Sequence, residues 1–260
     1  MPDGRKLSEV KLFDLKKVQQ DRIFLLLGGR NTGKSTLIRD LAFNLKHLYD
    51  FGFGLTGSTA ARTNCQTFLP KRLVHQRYDV QVAKTFYDTC TKNTDENKIR
   101  HTLMVEDDLF DQPKYLHSDV QIALHVNGRH PKTSKMICCQ YPMFIPTSLR
   151  GNIDYIFALR EPDLNIQKKL HEYFFGCVGS FKEFQNILEK TTKNFGCLVL
   201  DKTCNTGDLN DYVKYYKAKP DIPKFRLGKP IFFWLSDKIE EEDRKNLLLK
   251  RLGNMKTITI

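Results

Sequence analysis

Nine residues, GGRNTGKST, constrain the fold of this chain more than any other stretch. They fill the pattern G-x-x-x-x-G-K-[ST], between an apolar run at 23–27 and an apolar-periodic segment at 37–45. This order predicts a buried strand, a glycine-rich turn and a helix whose N-terminus points at an anion. A chance glycine-rich turn would not need that strand and helix. The residues predicted to bind the phosphates are Gly28, Gly29, Arg30, Asn31, Thr32, Gly33, Lys34, Ser35 and Thr36.

Two side chains of this loop have predicted chemical roles. The Lys34 ammonium can reach the β- and γ-phosphate oxygens of a nucleoside triphosphate. The Ser35 hydroxyl is placed to ligate Mg²⁺. The motif therefore predicts a nucleoside triphosphate as the ligand, with Mg²⁺ beside it.

The length and composition of the chain limit the classes of protein to which it can belong. Its 260 residues suffice for one large α/β domain with a sizeable core. A formal charge of +12 suits nucleic acid as a partner, although lysines that only keep a protein dispersed would give the same excess. No apolar run is long enough to span a membrane, and the start, MPDGRKLSEV, is too polar for a signal peptide. Seven cysteines without a C-x-x-C pair predict a reducing, intracellular compartment with no disulfides and no metal cluster.

A second informative stretch ends in three consecutive carboxylates. The apolar run 103–105 is followed directly by Glu106, Asp107 and Asp108. At the carboxyl end of a buried parallel strand, such residues face the ligand crevice. There one carboxylate can hold Mg²⁺ while a neighbour orients or deprotonates the attacking water. An acidic surface turn would give the same string, so the interpretation depends on the phosphate loop upstream.

The rest of the chain alternates strands with helices. Between residue 50 and residue 220, four strands are predicted besides the acidic one, at 51–58, 134–140, 155–159 and 195–201. Further helices are predicted at 80–90, 115–126 and 164–190. The alternation predicts an α/β fold with a mostly parallel sheet covered by helices on both faces.

We divide the chain into three parts. They are an N-terminal extension (1–20), a P-loop ATPase domain (21–220), and a C-terminal strand and helix (221–260) that pack on the same domain. In the last part the strand is predicted at 231–234 and the helix at 236–252. The segment YVKYYKAK, residues 212–219, interleaves aromatic residues with lysines. That mixture suits nucleic acid binding and suits a sheet edge with lysines along it equally well.

The segment NGRHPKTSKMICCQYPMFIPTSLRGNIDYIFALRE, residues 127–161, closely resembles a known family. The family is the poxvirus-type genome-packaging ATPase of nucleocytoplasmic large DNA viruses, a branch of the FtsK–HerA superfamily of P-loop motors. GGRNTGKST, MVEDD and FGCLVLDK also fit it, so the resemblance covers about residues 20–220. It implies an additional strand between the phosphate-loop strand and the acidic strand. It also implies a ring-forming ATPase that uses ATP and Mg²⁺ to pump double-stranded DNA into a capsid, with capsid or portal vertex proteins as partners.

The resemblance also implies roles for the loop and the three carboxylates. Lys34 and Ser35 would bind the phosphates and Mg²⁺, and Asp107 would ligate the metal. Asp108 stands at the place of the water-activating acid. Many P-loop motors have Asp-Glu at this point, whereas this chain has Glu-Asp-Asp, so Glu106 remains an alternative for that acid.

Other residues of the 127–161 segment match further family roles. Gln140, at the end of its predicted strand, matches the sensor of the γ-phosphate, although a strand-end glutamine that is simply solvated is the alternative. Arg129 best matches an arginine finger that acts across a subunit interface, and Arg150 is the second choice. Candidate DNA contacts are Lys132, Lys135 and the 212–219 segment.

Three other functions stay open at this point. They are a helicase or translocase of the same superfamily, a P-loop kinase acting on a nucleotide or small molecule, and a virion scaffold that binds ATP with little turnover. The sequence has no obvious arginine-rich lid of the kind that a kinase closes over the phosphates. The resemblance implies a location in the host cytoplasm at a viral factory, in the nucleus or in the virion.

Overall fold

One sheet of nine strands runs through the part of the chain that the structure describes. The structure is a computed structural model, and it describes residues 10–98, 100–109, 112–206 and 208–256. The strands are β1 (Lys11–Leu12), β2 (Ile23–Leu27), β3 (Phe51–Thr56), β4 (Val74–Gln76), β5 (Thr102–Asp107), β6 (Thr133–Cys139), β7 (Tyr155–Ala158), β8 (Gly196–Asp201) and β9 (Val213–Lys217).

The strand order is β1-β9-β8-β7-β2-β6-β5-β3-β4. The pairs are parallel except for those that β8 makes with β7 and with β9, which are antiparallel. β6 lies between β2, which leads into the phosphate loop, and β5, which ends in the carboxylates. This is the additional strand that the resemblance implied. Because β2, β5 and β6 run in the same direction, their carboxyl ends lie at the same edge of the sheet.

Helices cover both faces of this sheet. They are α1 (Lys34–Leu45), α2 (Thr59–Gln66), α3 (Val80–Asp95), α4 (Asp119–Asn127), α5 (Thr147–Arg150), α6 (Leu164–Tyr173), α7 (Phe181–Thr191), α8 (Leu209–Tyr212) and α9 (Pro230–Lys256). On one face Phe24 and Leu26 of β2 share a buried cluster with Leu37 and Leu41 of α1. On the other, Leu25 and Leu27 share a cluster that includes Phe184 of α7. β2 reads as a continuous apolar run because both of its faces are buried. The predicted fold class, a mostly parallel α/β sheet of the P-loop type, is confirmed.

The predicted C-terminal strand at 231–234 is wrong. Residues 230–256 form the single helix α9, which starts at Pro230. A run of four apolar residues has no usable period, so the strand could not be distinguished from one helical turn. Proline at the first helical position and the helix-forming residues that follow favour the helix. α9 packs on the turn at 71–73, where the Ser236 hydroxyl accepts a hydrogen bond from the Arg72 backbone N–H at 3.1 Å.

Other boundaries also differ from the sequence predictions: α3 runs to Asp95 rather than to residue 90, and α4 begins at Asp119 rather than at residue 115. The helix predicted over 164–190 is two helices, α6 and α7, each with its own N-cap. Asp163 accepts the N–H of Asn165 at 2.7 Å, and Ser180 accepts the N–H of Glu183 at 3.2 Å. The strand predicted from Phe195 begins at Gly196, so Phe195 lies in the turn before it. Within the described ranges, no helix combines the length and the apolar character needed to cross a membrane.

Candidate nucleotide-binding site

The glycine-rich loop connects the end of β2 to the start of α1, as the sequence predicts. Gly33 is the N-cap residue of α1, with a left-handed φ of 100° that favours glycine. A Cβ atom at Gly33 would also lie 3.3 Å from the Phe195 ring. The first turn of α1, Lys34 to Leu37, has no acidic residue. The free N–H groups and the dipole of this helix therefore favour an anion at the loop.

Lys34 lies at the mouth of the loop. Its Nζ donates hydrogen bonds to the carbonyl oxygens of Gly28 and Gly29, each at 2.6 Å. Thr32 stabilises the same loop, because its hydroxyl donates to the Gly29 carbonyl at 2.9 Å. The ammonium group is thus held beside the loop amides, where phosphate oxygens would be stronger acceptors than neutral carbonyls. Ser35, next in the chain, is exposed at the start of α1.

Asp107 is the last residue of β5, and its side chain faces the phosphate loop. The residue is 5% exposed. Burial, and secondarily the charge of Asp108, raises the pKa of Asp107 to about 6, while Lys34 and a hydrogen bond from Cys138 oppose that rise. A buried carboxylate whose charge is incompletely compensated suits a divalent cation. Asp107 and the Ser35 hydroxyl supply the hard oxygen ligands that Mg²⁺ prefers, so this pair fits the metal.

Asp108 follows β5 with a left-handed φ of 60° and lies half-buried in the cleft beside the phosphate loop. Gly57, after β3, makes this placement possible. A Cβ atom at Gly57 would lie 1.6 Å from the Asp108 carbonyl oxygen. The Gly57 N–H also donates to the Asp107 carbonyl at 2.9 Å. The Thr-Gly-Ser turn at 56–58 thus fixes the backbone that carries both aspartates.

An open cleft of about 1720 Å³ lies against the phosphate loop, four of whose residues, Gly29 to Thr32, line it. Asp108 and Gln140 line it from one side of the phosphate loop, at the ends of β5 and β6. The structure therefore brings together the loop, Asp108 and the predicted sensor glutamine at this cleft, with Asp107 buried behind Asp108. From the other side it is lined by residues to which sequence reasoning assigned no role: Arg160, Glu161, Lys193, Asn194 and Phe195.

Of these, Arg160 and Glu161 lie just after β7, from which Leu159 separates them, and their position after a predicted strand is the signal that could identify them. Burial raises the pKa of Glu161, whose carboxylate accepts the Asp163 N–H at 2.9 Å. The sequence predicts that Phe195 belongs to a strand, so it does not indicate that this residue lines the cleft.

Glu106 lies on the opposite face of the sheet from Asp107, because successive residues of a strand point to opposite faces. It is 1% exposed. It forms an ion pair with Lys135 at 3.1 Å, and it accepts hydrogen bonds from Tyr115 at 3.1 Å and from Gln121 at 2.7 Å. Both of its oxygens are thus satisfied away from the cleft. This overturns the alternative in which Glu106 activates water.

Lys135 belongs to the same buried group, so its predicted contact with DNA is also wrong. It is 1% exposed and donates a hydrogen bond to Gln121 as well as pairing with Glu106. His125 lies 3.4 Å from the Lys135 ammonium. Burial, and then the charge of Lys135, lowers the pKa of His125 well below its usual value, so its ring is neutral.

The two candidate finger arginines lie away from this cleft. Arg129 lies in the turn before β6, near the amino ends of the strands; its side chain is 74% exposed and 3.9 Å from Asp154. Arg150 stacks on the Tyr173 ring at 3.6 Å and donates to the Ile145 carbonyl at 3.0 Å. Neither arginine lines this cleft, and the Arg129 side chain is the more exposed of the two.

The fold and this site define a protein of the P-loop NTPase fold class: a glycine-rich turn joins a central parallel strand to a helix, and a buried aspartate lies two strands away. The model of the Poxvirus A32 protein family matches residues 10–173, more than half of the chain, and the chain belongs to this family. The resemblance stated from the sequence is thereby confirmed.

Relatives of similar length occur in viruses. The chain is 28% identical over 210 residues to uncharacterized protein 088R of Invertebrate iridescent virus 3, covering 80% of each. It is 26% identical over 230 residues to uncharacterized protein L437 of Acanthamoeba polyphaga mimivirus, covering 85% of this chain and 80% of that one.

Solved structures share the fold. The genome packaging NTPase B204 of Sulfolobus turreted icosahedral virus 2, in complex with ATP-gammaS, matches with a TM-score of 0.57 and 16% identity, covering 79% of this chain and all of that one. ATPases 2 and 3 of EccC from Thermomonospora curvata match with a TM-score of 0.55 and 16% identity, covering 82% of this chain and 40% of that one.

Proposed function

We propose that this protein is a viral genome-packaging motor that hydrolyses ATP to move double-stranded DNA into a capsid. The observation that carries the proposal is the convergence of the phosphate loop, Asp108 and Gln140 at one cleft, with Asp107 buried at the end of the same strand β5, in a chain of the Poxvirus A32 protein family. The fold match to a protein named a genome packaging NTPase supports the same function. A formal charge of +12 suits a DNA partner.

In this proposal each candidate residue of the site has one role. The loop amides and Lys34 hold the triphosphate, and Ser35 and Asp107 hold Mg²⁺, which when bound neutralises charge on the phosphates. Asp108 accepts a proton from, or orients, the attacking water. Gln140 hydrogen-bonds the γ-phosphate or that water, and so reports whether the phosphate is present.

The arginine finger would come from a neighbouring subunit, as in a ring. Arg129 is exposed and lies at the far edge of the sheet from its own cleft, so it cannot serve that cleft without a large movement. A head-to-tail ring would bring one subunit's Arg129 to the next subunit's γ-phosphate. Capsid or portal vertex proteins at a viral factory would be the partners of such a ring.

The ATPase rate with and without linear duplex DNA tests the motor. We expect duplex DNA to stimulate the wild-type protein, and Lys34→Ala to abolish hydrolysis. Asp108→Asn should lower the rate by about 10²- to 10⁴-fold, the usual contribution of general acid–base catalysis. Asp88→Asn, an equivalent change at an exposed site on α3, is the matched control and should leave the rate unchanged. A hydrolysis rate that duplex DNA does not change would contradict the motor and favour the scaffold. Transfer of phosphate to a nucleoside would favour the kinase.

Mixing two inactive variants tests the finger. A subunit with Arg129→Ala keeps its own cleft, and a subunit with Lys34→Ala keeps its own finger. If Arg129 acts in trans, mixed assemblies contain sites in which both parts are intact, and hydrolysis partly returns. If Arg129→Ala alone stays active while Arg150→Ala is inactive, the finger is Arg150 instead.

A further inference from the structure

The turn between α7 and β8 holds two consecutive residues in the left-handed region. Asn194 has a φ of 50° and Phe195 a φ of 64°. The Gly196 N–H donates to the Lys193 carbonyl at 3.0 Å and closes a four-residue turn. Turns with positive φ at both central residues are the type I′ turns, which usually contain Asn-Gly. Asparagine suits its position here, whereas phenylalanine stands where glycine is usual and is strained.

The strained residue presents its ring to the nucleotide cleft. Phe195 is 44% exposed and lines the cleft. The inner part of the ring packs against Gly33, because a Cβ atom there would lie 3.3 Å from its Cδ1 atom. An aromatic ring that is both strained and half-exposed beside a phosphate loop is not explained by core packing. Strain of this kind persists where a function needs the geometry.

The direction of a bound nucleotide follows from the strand order. Asp108 and Gln140, which lie at the γ-phosphate in the proposed mechanism, follow β5 and β6 on one side of β2. β7 and β8 lie on the other side of β2, and Phe195 immediately precedes β8. A triphosphate that runs across the loop with its γ end at Asp108 therefore leaves its nucleoside end on the side of Phe195.

We propose that Phe195 is the platform on which the nucleobase of the bound nucleotide stacks. The flat face of the ring can stack on any nucleobase, because every base has a π-face and stacking does not depend on the hydrogen-bonding groups of the base. Lys193 and Asn194 are exposed at the rim of the platform. This inference rests on the proposed function only in placing a nucleoside triphosphate in the cleft; it does not depend on DNA or on hydrolysis.

The Phe195→Gly variant distinguishes a role of this ring in base stacking from a purely structural role. Glycine relieves the backbone strain, so we expect the variant to remain folded with a melting temperature close to that of the wild type. By calorimetry with Mg²⁺, it should bind ATP-gammaS roughly tenfold more weakly or worse, in line with the loss of a base–aromatic stack. Its affinity for inorganic tripolyphosphate, which has no base, should not change. Phe195→Leu, which keeps an apolar contact with Gly33 but has no ring, should lose ATP-gammaS affinity in the same way.

A fluorescent reporter gives a second measurement. The chain has one tryptophan, Trp234, which lies on α9. In a Trp234→Phe background, Phe195→Trp places the sole tryptophan on the platform, and we expect ATP-gammaS but not tripolyphosphate to quench its emission.

Three outcomes decide the proposal. Equal loss of both ligands in Phe195→Gly would show that the ring only supports the phosphate loop, and would overturn the platform. Unchanged ATP-gammaS affinity in that variant would overturn it as well. If the wild type binds neither ligand, the proposed nucleotide site is wrong and the platform is wrong with it. A protein that binds ATP-gammaS but shows no stimulation by DNA would contradict the motor and leave the platform intact.

Discussion

Glu106 and Asp107 are adjacent carboxylates at the end of one strand, yet the two faces of the sheet give them opposite environments. Glu106 is paired with Lys135 at 3.1 Å and hydrogen-bonded by Tyr115 and Gln121. Asp107, on the other face, has a pKa raised to about 6 by burial and by the charge of Asp108. One carboxylate is fully satisfied within the protein, whereas the other is buried without full compensation.

Under the proposed function, one strand thus carries both a structural and a functional charge. A buried ion pair whose lone pairs are all satisfied is chemically inert, and losing one partner is costly. A buried carboxylate that lacks such partners destabilises the fold and retains affinity for a cation. The two roles are one residue apart because the side chains of a strand alternate between faces.

Replacing Glu106 by glutamine should have the largest effect on stability. The change leaves the Lys135 ammonium buried without a counter-charge, and breaking one side of a buried pair costs about 3–5 kcal/mol. We expect the free energy of unfolding, measured by urea denaturation, to fall by that amount. Glu189→Gln, an exposed change on α7, is the matched control and should stay within about 0.5 kcal/mol of the wild type.

The double variant Glu106→Gln with Lys135→Met sharpens the same prediction. It removes both charges, so no uncompensated ion remains, and most of the lost stability should return. A single variant that is as stable as the wild type would show that Glu106 is not the partner that the geometry indicates.

Replacing Asp107 by asparagine should have a smaller effect of the opposite sign. Because the folded protein binds the Asp107 proton more tightly than the unfolded chain does, wild-type stability falls as pH rises from about 4 to about 6 and is then constant. Asparagine removes this titration. In metal-free buffer at pH 7 we expect the variant to be more stable by about 1–3 kcal/mol, with the difference vanishing below pH 4. Equal unfolding free energies at every pH would contradict the raised pKa.

The sequence predicted the parts of the site that depend on local order along the chain. GGRNTGKST needs only the strand before it and the helix after it, so the phosphate loop could be predicted without tertiary information. Gln140 and the acidic residues could be placed at strand ends for the same reason. Their meeting at one cleft required the parallel sheet, which the alternation of strands and helices predicted.

What could not be predicted depends on faces and on neighbours in space. Alternation puts Glu106 and Asp107 on opposite faces, but which face holds the phosphate loop is set by the sheet topology. In the sequence Lys135 is one of several basic residues that could contact DNA, and only its pairing with Glu106 across β5 and β6 shows that it is buried. Phe195 reads as the first residue of a strand because nothing local signals a left-handed phenylalanine.

Asp108, the third carboxylate of the run, should show the smallest effect on stability and a large effect on hydrolysis. It is half-buried in the cleft with a φ of 60°, a conformation that asparagine tolerates and β-branched residues do not. We expect Asp108→Asn to stay within about 0.5 kcal/mol of the wild type in urea denaturation. Asp108→Val, which cannot adopt that backbone without strain, should lose about 1–2 kcal/mol. Both variants should lose hydrolysis, because neither can accept a proton from water. A stable Asp108→Asn that still hydrolyses ATP would show that this carboxylate is an acidic turn residue, and that the chemistry of the cleft rests on Asp107 alone.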